Sequence, residues 1–259
     1  MTASRENEKW NREEHILAFN LYCKIPFGQI DQDKPHVIEL ARLLGRSPGS
    51  VSYKLTNFAR LDPALQARGI RGHTHGAKGE EEVWDEFAHN PEALAFESER
   101  LLAARLGRRV EDIAEIEVRD LPPVGIEREA TVRVRVNQSF FRRRIISAYE
   151  FRCCVTGLAV RELLVASHIV PWAADAANRL NPRNGLCLNA LHDRAFDRGL
   201  MWIDEGFVVR FSCRIGQIAS RSDPTLTWLT SFEGKPLRLP KKFSPDPEFL
   251  RHHAAQFQS

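Results

Sequence analysis

The chain has 259 residues, of which 43% are hydrophobic and 27% are charged, a composition typical of globular proteins with room for two domains. It contains no apolar run near the roughly 18 residues that a membrane-spanning helix needs, and its polar N-terminus is unlike a secretory signal. We therefore expect a cytoplasmic protein without a membrane partner. The net charge of +3 is compatible with nucleic-acid binding but does not indicate it, because the clustering of charge is what matters.

The cysteines are scattered, and no two of them have the C-x-x-C spacing of a zinc knuckle or a redox motif. We expect free thiols, mostly buried, in a reducing compartment. The five are Cys23, Cys153, Cys154, Cys187 and Cys213.

The N-terminal part of the sequence predicts helices. Apolar residues within 11–23 predict a mostly buried helix, and a second helix is predicted over 36–44, ending at Gly45. Ser47 is the expected N-cap of a third helix over 49–61. Because the second and third helices are separated by only a short turn, this segment predicts a helix-turn-helix.

Details of this pair support the interpretation. Ala41, Gly45 and Val51 have the spacing of a close-packed alanine, a turn glycine and a buried aliphatic residue, although Arg46 and Lys54 occupy positions that are usually apolar. We expect the last helix to present residues that can contact phosphates or base edges, namely Ser50, Ser52, Tyr53, Lys54 and Asn57. The alternative is that the helices only pack a small core or a dimer interface.

Residues 68–79 form a predicted loop, in which His73 and His75 are candidate metal ligands, although such a pair in a loop is usually solvated. Two further helices are predicted over 80–89 and 91–106. In the segment that follows, two prolines and a glycine exclude a regular helix, so we place a linker there. The predicted organisation is a helical DNA-binding domain over 1–118, a linker over 119–130 and a second domain over 131–259.

The second domain opens with TVRVRVNQ, which alternates with a period of two residues, and continues with apolar residues at helical spacing. Arg142, Arg143 and Arg144 lie within this helical pattern. Three consecutive arginines point over a wide arc, so they either form a solvated face or include one or two phosphate contacts.

A ββα unit is predicted further along. The apolar segment RELLVASHIVPW predicts a strand that carries His168 at its end and is stopped by Pro171. A loop leads to a short strand at 186–188 and then to a helix over about 189–198. A histidine at the end of a strand is presented rigidly at the floor of a cleft.

This region resembles the HNH nuclease family, in the branch with S-H-I-x-P-W followed by N-P-x-N-G-L-x-L and H-D-x-A-F-D-x-G-L, over roughly residues 131–204. The fold class expected from the helices and from this resemblance is α+β, with an N-terminal all-α helix-turn-helix domain followed by a C-terminal ββα-metal HNH domain. The resemblance implies metal-dependent hydrolysis of DNA that leaves 5′-phosphate and 3′-hydroxyl ends. A bacterial restriction or defence role is a hypothesis drawn from the kinds of protein in which such domains occur.

The resemblance also implies roles for individual residues. His168 is the expected general base, since an imidazole titrates near neutrality and can accept a proton from water. Asn184 matches the middle Asn of the family, which fixes the loop and orients the base. The third position is His192 or Asp193. The usual separation of nine falls on Asp193 (193 − 184 = 9), while His192 stays open as a catalytic residue or metal ligand.

A single divalent cation is the expected cofactor, with Mg²⁺ first and Mn²⁺ or Ni²⁺ as alternatives. Asp193 is the favoured ligand, and Asp197, one turn later, supports the same helix face. Many relatives have an Asp ligand before the base, but this chain has Ser167 there, so Ser167 is a candidate metal ligand while the first ligand stays open. Structural zinc is not expected, because Thr156 stands where a second cysteine would follow Cys153.

The expected partner is duplex DNA, and a homodimer would produce double-strand cuts. Two alternatives remain at this stage. One is a DNA-binding regulator with little catalytic activity, and the other is an RNA-directed or structure-specific nuclease.

Overall fold

The structure of the protein, a computed structural model, describes residues 8–67, 69, 78–114, 116, 121–215 and 223–257. The chain forms two compact units, Met1–Phe140 and Phe141–Ser259. Helices make up the described part of the first unit, and the second unit contains two small antiparallel sheets, so the predicted α+β class is confirmed. No helix within these ranges is both long enough and apolar enough to span a membrane.

The helices predicted for the N-terminal part are confirmed, with ends that agree to within two residues. A capping box of Asn11 and Glu14 begins the first helix, and the Ser47 side chain accepts a hydrogen bond from the Ser50 backbone at the start of the third. The helices are α1 (Arg12–Lys24), α2 (Pro35–Leu44), α3 (Pro48–Leu61), α4 (Pro63–Gln66), α5 (Lys78–Phe87), α6 (Pro91–Leu106) and α7 (Val110–Ile113).

Helix α1 is the centre of the first unit and packs against α3, α5 and α6. It is buried along most of its length, as the sequence predicted. Phe19 of α1 stacks on Phe58 of α3 with ring centroids 4.8 Å apart. The pair α2–α3 is joined through Gly45, whose φ of 67° lies in the left-handed region that ends a helix.

Two charged residues of the α2–α3 segment are buried inside the first unit. Arg46 forms an ion pair with Glu14 of α1, with 2.8 Å between Nη2 and Oε2, and Lys54 forms one with Glu80 of α5. Both glutamate side chains are fully buried. The charges at normally apolar positions are therefore neutralised by buried carboxylates, which is how such groups are accommodated in a core.

The segment after the prolines differs from the prediction. Helix α8 spans Ile126–Ala148, so it includes the end of the predicted linker and the stretch that alternates with a period of two. Val132 and Val136 are buried and Val134 is 41% exposed, because residues four apart lie on one helix face while residues two apart do not. The compact units divide inside this helix, after Phe140, rather than within 119–130. As limits of functional domains, 1–118 and 131–259 stay predictions.

The predicted ββα unit is confirmed in the second unit. It consists of β1 (Leu164–His168), β2 (Gly185–Asn189) and α9 (Ala190–Asp197). The strands are antiparallel, and His168 pairs with Gly185. A Cβ atom at Gly185 would lie 2.9 Å from Phe141 Cζ, so only glycine allows α8 to approach the strand this closely. The remaining elements are β3 (Met201–Ile203), β4 (Val209–Phe211), α10 (Pro224–Thr230) and α11 (Pro247–Ala255).

Burial of the cysteines also agrees with expectation. Four are buried and one, Cys213, is exposed, and all five are free thiols.

A buried histidine ties α11 to the ββα unit. The ring of His253 is 4% exposed and stacks on Phe196 of α9, with centroids 3.7 Å apart and planes 3° apart. Burial lowers the pKa of His253 to about 4 from its ordinary 6.5. Because the pKa is lower in the folded state, the stabilisation is complete above pH 6.5 and is lost as the pH falls towards 4.

We therefore expect His253→Leu to reduce the acid sensitivity of folding. Between pH 7 and pH 4, the loss of unfolding free energy should be smaller in the variant than in the wild type by about 3 kcal/mol. Urea denaturation at the two pH values measures this difference. The exposed neighbour His252 provides the control: it acts on His253 only through its charge, the smallest of the causes, so His252→Leu should change the pH dependence much less than His253→Leu. An unchanged pH dependence in His253→Leu would contradict the assignment.

Candidate active site

The candidate site lies at the end of the β1–β2 pair, where His168 leaves the strand and a loop returns the chain to β2. Asn184 holds this loop and is 1% exposed. Its Oδ1 accepts a hydrogen bond from the backbone N–H of Val170 at 2.8 Å, and its Nδ2 donates to the carbonyls of Val170 at 3.1 Å and Asn178 at 3.2 Å. These hydrogen bonds hold the loop in place. This is consistent with the role predicted for Asn184, which stays a prediction.

The tautomer of His168 is determined by its neighbour. Nε2 lies 2.9 Å from the backbone carbonyl oxygen of Arg179, and because a carbonyl can only accept, Nε2 carries the proton. In a neutral ring the other nitrogen, Nδ1, is then unprotonated. Within the described chain Nδ1 has no hydrogen-bond partner. The basic nitrogen of this imidazole is therefore left available.

Two aromatic side chains pack around the imidazole. Phe141 stacks on it with centroids 3.8 Å apart and planes 10° apart, and Trp172 meets it edge-on at 5.5 Å. Burial lowers the pKa of His168, while the Arg179 carbonyl and the charge of Asp197 act in the opposite direction. The ring is thus held in one orientation and is neutral at neutral pH, as a proton acceptor must be.

Two carboxylates lie one turn apart on α9. Asp193 is half-buried and Asp197 is exposed. The pKa of Asp193 is raised by burial and by the like charge of Asp197, although Ser167 and Arg194 act to lower it. The pKa of Asp197 is also raised by burial, against the opposing effects of Arg194, Arg198 and His168. The Asp197 charge therefore acts on both Asp193 and His168.

This donor set suits a hard divalent cation. Among the described residues, no three His, Cys, Asp or Glu side chains converge on one point. Mg²⁺, however, is often held by only one or two carboxylates, together with water and the phosphates of a substrate. Asp193 and Asp197 supply such a pair. The positive charge of a cation would stabilise their ionised forms, which burial disfavours.

Ser167, the residue before His168, is 3% exposed. Its hydroxyl lies near the Asp193 carboxylate but makes no hydrogen bond of normal geometry within the described chain. It neighbours the carboxylate pair, and its role as a metal ligand stays a prediction.

His192 lies in a different environment from Asp193. Its side chain is fully buried, with Nδ1 3.1 Å from Asn189 Oδ1 and the ring between Trp228 at 5.4 Å and Phe232 at 5.3 Å. Desolvation lowers the pKa of His192 to about 4. Adjacent residues of a helix point about 100° apart, and in α9 this rotation turns His192 into an aromatic pocket. His192 is thus packed in the core of the unit, and its roles as a catalytic residue or metal ligand stay predictions.

Two of the predicted DNA contacts on α3 are buried. Lys54 and Asn57 are buried, and Nδ2 of Asn57 donates to Glu80 Oε1 at 2.9 Å, the same atom that pairs with Lys54. These side chains pair with Glu80 in the interior of the unit, and their DNA contacts stay predictions. Ser50, which accepts a hydrogen bond from the Trp10 indole, and Ser52 are partly exposed and stay predictions.

The three arginines of α8 have different environments. Arg144 is 8% exposed, with its guanidinium 4.4 Å from the centre of the Phe243 ring, so it packs within the unit and its phosphate contact stays a prediction. Arg142 is exposed and Arg143 is half-buried, and both stay predicted DNA contacts. The proposed ligands His73 and His75 lie outside the described residues.

Sequence reasoning missed Phe141, Trp172 and the Arg179 carbonyl, which surround the His168 ring. A residue that stacks from another helix or strand cannot be identified from the sequence near His168. A backbone carbonyl cannot be identified either, because every residue has one. Trp172 is the exception, since it stands in the motif S-H-I-x-P-W.

Residues 153–204 match a family model described as HNH endonuclease. The matched segment contains β1, the loop, β2 and α9, and with them His168, Asn184 and Asp193. No curated protein matches the chain.

Proposed function

We propose that this chain is a divalent-metal-dependent DNA endonuclease with His168 as its general base, on the premise that residues 153–204 match the HNH endonuclease family. The observation that carries the proposal is the fixed tautomer of His168. With Nε2 donating to Arg179, Nδ1 is the nitrogen that can accept a proton from water.

In the proposed reaction, a water molecule transfers one proton to His168 Nδ1 as its oxygen forms a bond to the scissile phosphorus. The bond from phosphorus to the 3′-oxygen breaks, and this oxygen takes a proton from solvent. The products are a 5′-phosphate and a 3′-hydroxyl. The bond to Arg179 strengthens the base, because its carbonyl oxygen stabilises the positive charge that develops on the ring.

The neighbouring residues support this step. Asn184 holds the loop that carries Arg179, and Phe141 keeps the imidazole plane in place. Asp193 and Asp197 would hold the divalent ion, with Mg²⁺ proposed first. When bound, this ion would supply charge stabilisation to the phosphate and to the leaving oxygen. A rigid base beside a cation site is the arrangement that hydrolysis of a phosphodiester requires.

The proposed substrate is duplex DNA, and the proposed setting is bacterial restriction or defence in the cytoplasm. The α2–α3 pair favours duplex DNA, since two helices joined by a tight turn can place the second in a major groove. With Lys54 and Asn57 buried, this surface would rely on Ser50, Ser52 and the exposed Tyr53. A homodimer would convert two nicks into a double-strand cut.

The substrate can be tested by comparing a supercoiled plasmid, a single-stranded DNA circle and a folded RNA at equal concentration, each with Mg²⁺ and with EDTA. We expect Mg²⁺-dependent nicking of the plasmid, with nicks that a DNA ligase reseals because they have 5′-phosphate and 3′-hydroxyl ends. Faster cleavage of RNA would favour the RNA-directed alternative, and nicks that ligase cannot reseal would contradict the proposed products.

A further inference from the structure

Helix α9 carries two parallel rows of charge. Arg194 and Arg198 follow Asp193 and Asp197 by one residue each, so the arginines, like the aspartates, are one helical turn apart. The two rows are separated by about 100° around the helix. The guanidinium row therefore borders the carboxylate row that is proposed to hold the metal ion.

Both arginines are exposed, and neither side chain has an ion pair or a hydrogen bond within the described part of the chain. Two other arginines of this unit, in contrast, form ion pairs: Arg210 with Asp204, and Arg251 with Glu205. Along the helix, each arginine directly follows one of the aspartates that are proposed to hold the cation, so the two positive charges lie beside that site.

We propose that Arg194 and Arg198 form a phosphate-binding pair that holds the DNA backbone beside the bond to be cut. This inference rests on the proposed nuclease function and identifies which residues contact the substrate. Guanidinium groups suit phosphate oxygens because their planar fork can donate two hydrogen bonds at once. Such contacts fix the position of the strand without reading its sequence.

The placement couples DNA binding to metal binding. In the free protein, two positive charges beside Asp193 and Asp197 oppose the arrival of a divalent cation. Bound phosphates neutralise these charges, so DNA should tighten metal binding, and the metal should tighten DNA binding by the same factor. Removing the arginines then has opposite effects on the two ligands, which loss of folding would not produce.

The test is the double variant Arg194→Ala/Arg198→Ala, with binding of a duplex oligonucleotide measured in EDTA over a range of NaCl concentrations. Each lost phosphate contact lowers the slope of log Kd against log salt by about 0.9, so we expect the slope to fall by about two and the Kd near 0.1 M salt to rise at least about tenfold. The matched control is Arg210→Ala/Arg251→Ala, which removes the same charge from arginines that are already paired. It should keep the wild-type slope.

The second readout is binding of Mn²⁺ to the DNA-free protein, followed by electron paramagnetic resonance. Tighter Mn²⁺ binding in Arg194→Ala/Arg198→Ala than in the control supports the coupling, and weaker binding overturns it. The variant Arg194→Gln/Arg198→Gln keeps the length and polarity of the side chains and should behave like the alanine pair.

An unchanged salt slope in both double variants of Arg194 and Arg198, while the wild-type protein cuts plasmid DNA, overturns the phosphate-binding pair and leaves the proposed function intact. A reduced slope in a protein that cuts no nucleic acid supports the pair and counts against the nuclease.

Discussion

Asp193→Asn is expected to lower the rate of metal-dependent DNA cleavage by about a hundredfold or more, whereas His192→Leu should leave it near the wild-type rate. A bound cation stabilises a phosphoryl transition state by several kcal/mol, and each 1.36 kcal/mol corresponds to about a factor of ten. Asp193 supplies a half-buried carboxylate beside Asp197, while the neighbouring His192 lies among aromatic rings. The comparison therefore tests adjacent residues with opposite orientations.

The measurement is the initial rate of plasmid nicking over a titration of Mg²⁺, at a temperature where both variants are folded by circular dichroism. A shift of the Asp193→Asn curve to higher Mg²⁺, together with the lower rate, would identify the carboxylate as a ligand. If His192→Leu loses cleavage and Asp193→Asn keeps it, His192 rather than Asp193 is the third residue of the HNH motif.

The largest expected effect on stability is that of Arg46→Ala, at about 3–5 kcal/mol of unfolding free energy. The guanidinium side chain is 1% exposed, pairs with Glu14 and donates to the backbone carbonyls of Glu8 and Lys9. Removing it takes away the guanidinium that neutralises the fully buried Glu14 carboxylate. An uncompensated buried charge is much more costly than the loss of an exposed ion pair.

Urea denaturation of Arg46→Ala and of a variant that lacks both charges separates these contributions. Arg46→Met/Glu14→Leu removes both charges and should recover most of the stability that Arg46→Ala loses, because well-packed apolar residues replace buried pairs at little cost. The exposed pair Arg12–Glu86 is the control, and Arg12→Ala should cost less than about 1 kcal/mol. Equal losses for Arg12→Ala and Arg46→Ala would show that burial of the pair contributes nothing.

Much of the architecture follows from local patterns. Ser47 caps α3, Gly45 ends α2, and the apolar spacing of α6 predicts its bounds. The alternation of valines that opens the second predicted domain fits a strand and a helix equally well, because Val132 and Val136 satisfy both periods. Tertiary packing determines that this segment is helical, and a short sequence pattern carries no information about tertiary packing.

The burial of charged side chains was the feature hardest to predict from the sequence. Arg46 and Lys54 find their partners 32 and 26 residues away along the chain, so nothing near either residue shows that it is neutralised. The same limit applies to the DNA contacts predicted on α3. A lysine on a helix next to a tight turn is consistent with a DNA-facing surface until Glu80 is placed beside it.

The candidate site was predicted in part. Motif spacing identified His168, Asn184 and Asp193, which the fold brings to one ββα unit. It did not separate His192 from Asp193, since the choice depends on which side of α9 faces the core. It also gave no information about which nitrogen of His168 is basic, because that follows from a hydrogen bond to the Arg179 backbone.

The central claim is tested most directly by plasmid nicking with the wild-type protein and His168→Ala, each in Mg²⁺ and in EDTA. The wild type should nick in Mg²⁺ and not in EDTA, and His168→Ala should be slower by about 10²–10⁴-fold, the usual contribution of a general base. Its thermal unfolding should confirm that it is folded. Cleavage by His168→Ala at the wild-type rate, or cleavage by the wild type in EDTA, would contradict a metal-dependent nuclease with His168 as its base.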